Sequence, residues 1–224
     1  MSTLIVTAHP DTGSLTHQAA RLVQDLLGSD QASFAHLAQE EFDPRFTPED
    51  RRAYATRSEP DSSVVAEQRR LDGVEHVVLV FPVYWWSMPA LLKGWIDRVF
   101  ISGWAFDYDD KDRLVPRLGR LTVHLMPIAG TTEDAFVRHG HLESVGTQIQ
   151  HGIIDFCGMQ GGATAFVWDS ESGSEDEVAK SYTDAAATIA SAIRGATNAV
   201  QRTRRHARAG RRSETGGRRP VDVR

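Results

Sequence analysis

The stretch Val77-Val78-Leu79-Val80-Phe81 is apolar without a break and largely β-branched, the pattern of a strand buried on both faces of a parallel sheet. Residues 3–8, 32–37, 121–126 and 163–168 predict four more strands. Between these runs the rhythm changes, and apolar positions recur every three or four residues, as on one face of a helix. Ala19, Leu22, Val23, Leu26 and Leu27 predict a first helix, which Gly28-Ser29-Asp30 stops. Val64, Val65, Gln68 and Leu71 predict a second, capped by Asp61-Ser62-Ser63. Pro89, tolerated in a first turn, opens a third helix with Leu91, Leu92, Trp95, Ile96 and Val99 on its apolar side and Lys93, Asp97 and Arg98 on the other. Leu142, Val145, Ile149, Ile153 and Phe156 predict a fourth, and residues 175–194 a last one. Residues 40–60, with Pro44, Pro48 and Pro60, have no clear period beyond room for one short helix, and residues 101–118 read as a loop.

Strands alternating with helices call for a parallel, doubly wound sheet with right-handed crossovers. Five such strands predict an α/β fold of flavodoxin-like strand order 2-1-3-4-5, with helices on both faces. In that order strands 1, 3 and 4 are neighbours at the switch point, and their carboxyl-end loops converge where open α/β sheets bind ligands. The first loop places Gly13, Ser14 and Thr16 at a helix N-terminus, where free N–H groups and the positive end of the dipole favour a phosphate. A plain helix cap would explain Ser14 equally well. The loop has no Gly-x-Gly-x-x-Gly, which disfavours a Rossmann-type nucleotide there. The second loop carries Tyr84, Trp85 and Trp86, three rings costly to leave in water. They plug a core or subunit contact, or they form a platform for a flat ligand. The third loop is Ile128-Ala129-Gly130-Thr131.

Composition narrows the picture without changing it. The 224 residues fit one domain, expected over 1–196, followed by an Arg-rich end over 197–224 expected to be disordered. Beyond residue 200 the formal charge is +7, against −5 for the whole chain, so the remainder carries −12. An acidic body disfavours nucleic acid as the main partner. Cys157 is the single cysteine, which excludes an internal disulfide and fits a reducing compartment. No secretory leader is visible and no apolar run approaches the ~20 residues of a membrane span, so a cytoplasmic protein is expected.

The stretch from Phe81-Pro82-Val83-Tyr84-Trp85-Trp86-Ser87-Met88-Pro89 through Leu92-Lys93-Gly94-Trp95 to Asp97-Arg98-Val99-Phe100 resembles the flavin-binding loop and following helix of the NAD(P)H:quinone oxidoreductase family at nearly every position. The resemblance covers residues 3 to about 195. It implies a homodimeric flavoprotein, FAD favoured over FMN, with its active site at the subunit interface. Hydride would pass from NAD(P)H to the flavin N5 and two electrons onward to a quinone or similar flat acceptor, by a ping-pong mechanism in one shared slot.

Carried over residue by residue, the resemblance gives His9, Gly13, Ser14, Leu15 and Thr16 to the flavin phosphates. Pro82, Val83, Tyr84, Trp85 and Trp86, with Ile128, Ala129, Gly130 and Thr131, fall to the ring. Leu15 stands where the family has an aromatic residue, and Thr16 where it has Asn. Only Gly130 survives of a Thr-Thr-Gly-Gly turn. Phe136 replaces a tyrosine of the charge relay, and His139 and His141 flank the expected place of its histidine, His141 being nearer. Tyr108 matches a tyrosine that the partner subunit lends to the substrate pocket. With Phe106 replacing a second tyrosine, and with Trp104, that pocket is expected to be greasier than usual. Gly152-Ile153-Ile154-Asp155-Phe156-Cys157-Gly158 also follows the family, with Cys157 a packing residue.

Two other readings compete. A non-enzyme reading is a flavodoxin-like electron carrier or a regulatory subunit of a transporter. The segment Ala8-His9-Pro10-Asp11 also resembles the opening of zinc-dependent N-deacetylases, but Thr12 stands in place of the second acid, and the aromatic loop is left unexplained.

Overall fold

The computed structural model describes residues 2–214, with side chains described over 2–197. Five parallel strands form the central sheet: β1 (Thr3–Thr7), β2 (Ala32–His36), β3 (His76–Pro82), β6 (Thr122–Ile128) and β7 (Gln160–Thr164). Their order, β2-β1-β3-β6-β7, is the expected 2-1-3-4-5. The short strands β4 (Phe106–Tyr108) and β5 (Leu114–Pro116) pair with each other as an antiparallel hairpin outside the sheet. Every residue of β3 is buried, as its unbroken apolar run requires. Alternation divides it: Val77, Leu79 and Phe81 enter one core with Trp95 and Ile96, while Val78 and Val80 enter the other with Ala19, Val23 and Ile189. Helix α1 (Leu15–Leu27) and helix α7 (Glu175–Glu214) cover the second face, and α3 (Ser62–Asp72) and α4 (Ala90–Val99) the first.

Local chemistry explains the departures from expectation. Arg98, expected on the polar side of α4, is buried, because α2 (Pro48–Thr56) presents Asp50 to it. Arg98 Nε and Nη2 donate to the two Asp50 oxygens at 2.9 and 3.1 Å, and Nη1 to the Asp43 carbonyl at 2.8 Å. Burial alone would raise the Asp50 carboxyl, but the Arg98 guanidinium together with the Thr47 N–H and hydroxyl outweighs it and holds the pKa below the ordinary carboxylate value. Gly94 of α4 is where the residue 40–47 excursion crosses: a Cβ there would lie 2.1 Å from the Pro44 carbonyl oxygen. Pro89 is the N-cap of α4, one residue ahead of the predicted first turn.

The predicted fourth helix, Leu142 to Phe156, is α6 (His141–Val145) running into a π-helical segment Gly146–Asp155, and a short helix that was not predicted, α5 (Glu133–Arg138), precedes it. The wider π turn spaces buried positions five apart, so Ile149 and Ile154 are buried where a 3.6 period selects Ile153 and Phe156. The predicted strand 163–168 starts earlier, at Gln160. Gly161 and Gly162 hide it from propensity, yet a Cβ on Gly162 would lie 2.5 Å from the His124 ring. Ladder bonds nonetheless continue beyond β7, from Ala165 N–H to the Leu125 carbonyl and from Val167 N–H to the Pro127 carbonyl, both at 2.9 Å. Helix α7 runs on past residue 194 to Glu214, through a stretch whose Ala, Arg and Gln are good helix formers. Residues 215–224 of the Arg-rich end lie outside the described residues. Among the described residues no helix is long and apolar enough to cross a membrane.

Candidate active site

The three loops do converge at the carboxyl ends of β1, β3 and β6. A cleft of about 260 Å³ is lined by Val83, Trp85 and Trp86 from the second loop, Ala129, Gly130 and Thr131 from the third, and Phe136 with Glu171. The first loop, which contributes no lining residue to it, follows the neighbouring strand β1 and ends in α1.

The second loop is a tight reversal. Tyr84 N–H donates to the Ser87 carbonyl at 3.0 Å and Ser87 N–H to the Tyr84 carbonyl at 3.1 Å, leaving Trp85 and Trp86 as its two central residues. Both have left-handed backbone, φ 49° and 63°. Positive φ at both centres is the mark of a type I′ turn, normally Asn-Gly or Gly-Gly, because a left-handed L-residue costs about 1–2 kcal/mol. Two tryptophans there are strained, and Trp85 is 94% exposed, so burial in the single chain does not offset the strain.

The rings gather around Trp86. His141, the first residue of α6, stacks on it, and Phe136 meets it edge-on at 5.4 Å. Trp168 and Phe166, stacked on each other at 4.3 Å, close the cluster behind Phe136. The hydroxyl that a tyrosine would bring is absent at Phe136, which is buried.

Backbone donors sort into engaged and free. Val83 N–H is spent on the Ile128 carbonyl and Ala129 N–H on the Val167 carbonyl, each at 2.8 Å, while Tyr84 N–H closes the turn. Ile128 is thereby a sheet residue, with no donor role toward a ligand, and Pro82 is buried at the end of β3. The N–H groups of Trp85, Trp86, Gly130 and Thr131 have no partner among the described residues. Glu171 lies over Gly130, where a Cβ would come within 2.7 Å of its carboxyl carbon. Sequence reasoning missed Glu171, because its loop follows the misplaced fifth strand.

At α1 the expected cap is not made. Ser14 stands at the N-cap, yet its hydroxyl accepts no helix N–H. Its Oγ is the buried side-chain polar atom without a hydrogen-bond partner among the described residues. Such an atom calls for an external partner. The first turn of α1 holds no acidic residue, so the dipole end is left for an anion. Gly13 N–H donates to Asp11 Oδ1 at 2.8 Å, and His9 Nδ1 accepts the Asp11 N–H at 3.0 Å. Thr16 is buried in the turn and Leu15 half-buried against the α1–α7 core. The orphaned hydroxyl, the unpartnered N–H groups and the glycine-floored aromatic cleft fit a flat ring carrying a phosphorylated chain. The deacetylase reading finds no ligand set: among the described residues no three His, Cys, Asp or Glu side chains stand together to hold a metal.

Three expected pocket residues do not line this cleft. Trp104 lines a separate cavity of about 220 Å³ with Arg57, Gln68 and Ile101. Phe106 is buried in the core, edge-on to Phe156 at 5.1 Å. Tyr108 is exposed on the β4–β5 hairpin. His139 is exposed, its ring 5.8 Å from that of His141. Cys157 is buried, and burial pushes its thiol up to about 11, which suits packing and not nucleophilic work.

Fold and site define a flavodoxin-like α/β protein with its ligand cleft at the switch point of the sheet. The profile of the Flavodoxin-like fold family matches residues 1–192. The ribosyldihydronicotinamide dehydrogenase [quinone] of Pongo abelii is 30% identical over 199 residues, 78% of this chain and 84% of that protein. The NAD(P)H dehydrogenase [quinone] 1 of Rattus norvegicus is 35% identical over 106 residues, 46% of this chain, and the match spans 38% of that relative's length. The solved NAD(P)H:quinone oxidoreductase of Methanothermobacter marburgensis superposes with TM-score 0.75 at 21% identity, covering 83% of this chain and 95% of that one, a likeness of fold alone. The chain belongs to the NAD(P)H:quinone oxidoreductase family of flavodoxin-like proteins and is an oxidoreductase.

Proposed function

We propose that the protein is a flavin-dependent NAD(P)H oxidoreductase that reduces a quinone or similar flat acceptor, as a cytoplasmic homodimer. The observation that carries the reading is the buried, unpartnered Ser14 hydroxyl at the N-terminus of α1, together with a cleft lined by tryptophans. In this reading Ser14 Oγ–H and the first N–H groups of α1 bind the cofactor phosphate. Trp85 and Trp86 flank the flavin ring, Gly130 floors it, and the free N–H groups of the second and third loops meet its polar edge.

When bound, the flavin supplies acceptance of hydride from NAD(P)H and delivery of two electrons to the acceptor. The chain's residues do the rest. Phe136 and the Phe166–Trp168 pair exclude water from the rear of the cleft. His141, held flat against Trp86, holds or releases a proton at its imidazole nitrogens. One slot serving donor and acceptor in turn gives ping-pong kinetics. Tyr108 and the exposed face of Trp85 meet across the dimer interface, completing the pocket.

The visible spectrum of the purified protein and the mass of the cofactor released on denaturation test this, with FAD the expected species. Protein that is colourless and remains so after incubation with FMN and with FAD would sink it.

A further inference from the structure

Two tryptophans in left-handed backbone do not hold themselves. The Tyr84–Ser87 backbone pair fixes the ends of the turn, but its rings are exposed, Trp85 almost wholly. Besides Phe136, edge-on to Trp86, what holds the turn from outside comes from one helix face. His141, Ser144 and Gln148 are spaced i, i+3 and i+7, the repeat that aligns side chains along a helix. His141 stacks on Trp86 at a centroid distance of 4.0 Å. Seven residues on, at the start of the π-helical segment, Gln148 Oε1 accepts a hydrogen bond from Ser87 Oγ at 3.1 Å. Gln148 is itself braced, since its Nε2 donates to Ser144 Oγ at 3.1 Å. The amide thus spends its acceptor on the turn and a donor on its own helix, which fixes its orientation.

We infer that Gln148, through Ser87, is a positioning residue that latches the strained Trp85–Trp86 turn against α6, and so sets the stacking of Trp86 on His141 and the affinity of the cleft for a flat ring. This rests on the proposed flavin reading as far as the ligand is concerned, but the latch itself does not. Ser87 adjoins Trp86, so a bond at Ser87 Oγ fixes the last corner of the turn. Strain of this kind persists only where surrounding structure over-determines the conformation. Without the latch the turn relaxes toward ordinary backbone, Trp86 slides off His141, and the platform is no longer formed before the ligand arrives. Binding then includes the work of reforming it, which shows as weaker affinity.

The test uses the full chain with Gln148→Ala, Gln148→Glu, Ser87→Ala and the double alanine variant. Two readouts are taken: the NMR ring-proton shift of His141 in cofactor-free protein, which the Trp86 ring current displaces, and the dissociation constant for added FMN and FAD. Gln148→Ala should return the His141 resonance toward its free-histidine position and weaken flavin binding about three- to tenfold, the size expected for one net hydrogen bond. Gln148→Glu, which keeps an acceptor for Ser87 Oγ–H, should preserve both. Ser87→Ala should match Gln148→Ala, and the double variant should be no worse than either. An unmoved His141 resonance in Gln148→Ala, a Gln148→Glu variant as impaired as the alanine, or additive losses would each overturn the latch. If no variant and no parent protein binds flavin while the His141 shift still follows the pattern, the latch stands and the proposed function falls.

Discussion

The imidazole of His141 lies against the indole of Trp86 with 4.0 Å between ring centroids and 10° between planes, and Phe136 stands edge-on to both. Phe136 brings no hydroxyl to the pair, so in the proposed reaction a proton delivered at this edge of the cleft would come from the imidazole. His141→Ala is expected to slow NAD(P)H oxidation by about 10- to 100-fold. That is less than the ~10²–10⁴ typical of a general acid–base, because the backbone donors remain. His139→Ala, on an exposed residue outside the stack, should leave the rate within about twofold. Stopped-flow rates under single-turnover conditions check the pair, with cofactor content measured in each variant. The reverse outcome, a slow His139→Ala and a normal His141→Ala, would mean that the stacked ring is structural.

Ser14 separates ligand binding from stability. A serine that caps a helix costs about 0.5–2 kcal/mol when replaced by alanine. Here the hydroxyl makes no cap bond and is buried without a partner. Ser14→Ala should therefore leave the cofactor-free protein as stable as before, or up to about 1 kcal/mol more stable, since an unsatisfied buried group is removed. Flavin affinity should fall about tenfold or more through loss of a hydrogen bond to a charged group. Thermal unfolding without cofactor and a flavin titration decide it. A destabilised variant with intact affinity would restore Ser14 to the role of a simple cap.

How far the sequence reveals this site depends on what each feature is made of. The buried strands were legible because β3, apolar on both faces, has no other stable place than a sheet interior. The meeting of the three loops followed from strand order alone. The conformation of the Trp85–Trp86 turn was not legible, because no propensity predicts left-handed tryptophan. The β4–β5 hairpin was hidden by its length of three residues per strand, too short for an alternating period to register. Arg98 read as a polar-face residue, since its partner Asp50 lies 48 positions away in a segment without a period of its own. Gln148 could not be singled out either. Its role depends on a bond to Ser87, 61 positions away.

Trp85 offers a trade of stability against function. It is the first central residue of the turn, at φ 49°, and makes little use of its ring within the single chain, being 94% exposed. Asparagine tolerates left-handed backbone far better. Trp85→Asn should stabilise the cofactor-free protein by about 1 kcal/mol and at the same time weaken flavin binding about tenfold or more, through loss of a stacking face. Chemical denaturation beside a flavin titration checks both halves. If Trp85→Asn destabilises the chain, its ring packs in solution, and the platform role is lost.

The last prediction concerns a buried pair away from the cleft. His76 and His124 sit side by side in β3 and β6, near the end of the sheet opposite the loops, with His76 Nδ1 and His124 Nε2 3.2 Å apart. His124 Nδ1 accepts the Ala163 N–H at 3.0 Å, so its proton is on Nε2 and is given to His76 Nδ1. Both rings are neutral in this arrangement, and a further proton on either would face an N–H or a second imidazole. Burial, with His76 adding to it, lowers His124 to about 4, and burial lowers His76 as well. The sign follows from which state binds the proton more readily. The unfolded chain protonates near ~6.5, while the folded chain resists until about 4. Their stabilising contribution is thus complete above ~6.5 and is lost as pH falls toward 4, by about 3 kcal/mol for His124 alone. His17 and His36, also lowered chiefly by burial, add loss of the same sign. Urea unfolding at several pH values between 7.5 and 4.5 should show a steady fall in stability across a window above that of most carboxylates. An NMR titration should show the His124 ring staying largely neutral over that range. Flat stability over that range, or a His124 ring that titrates near its ordinary value, would show that the pair is hydrated and not sealed in the sheet.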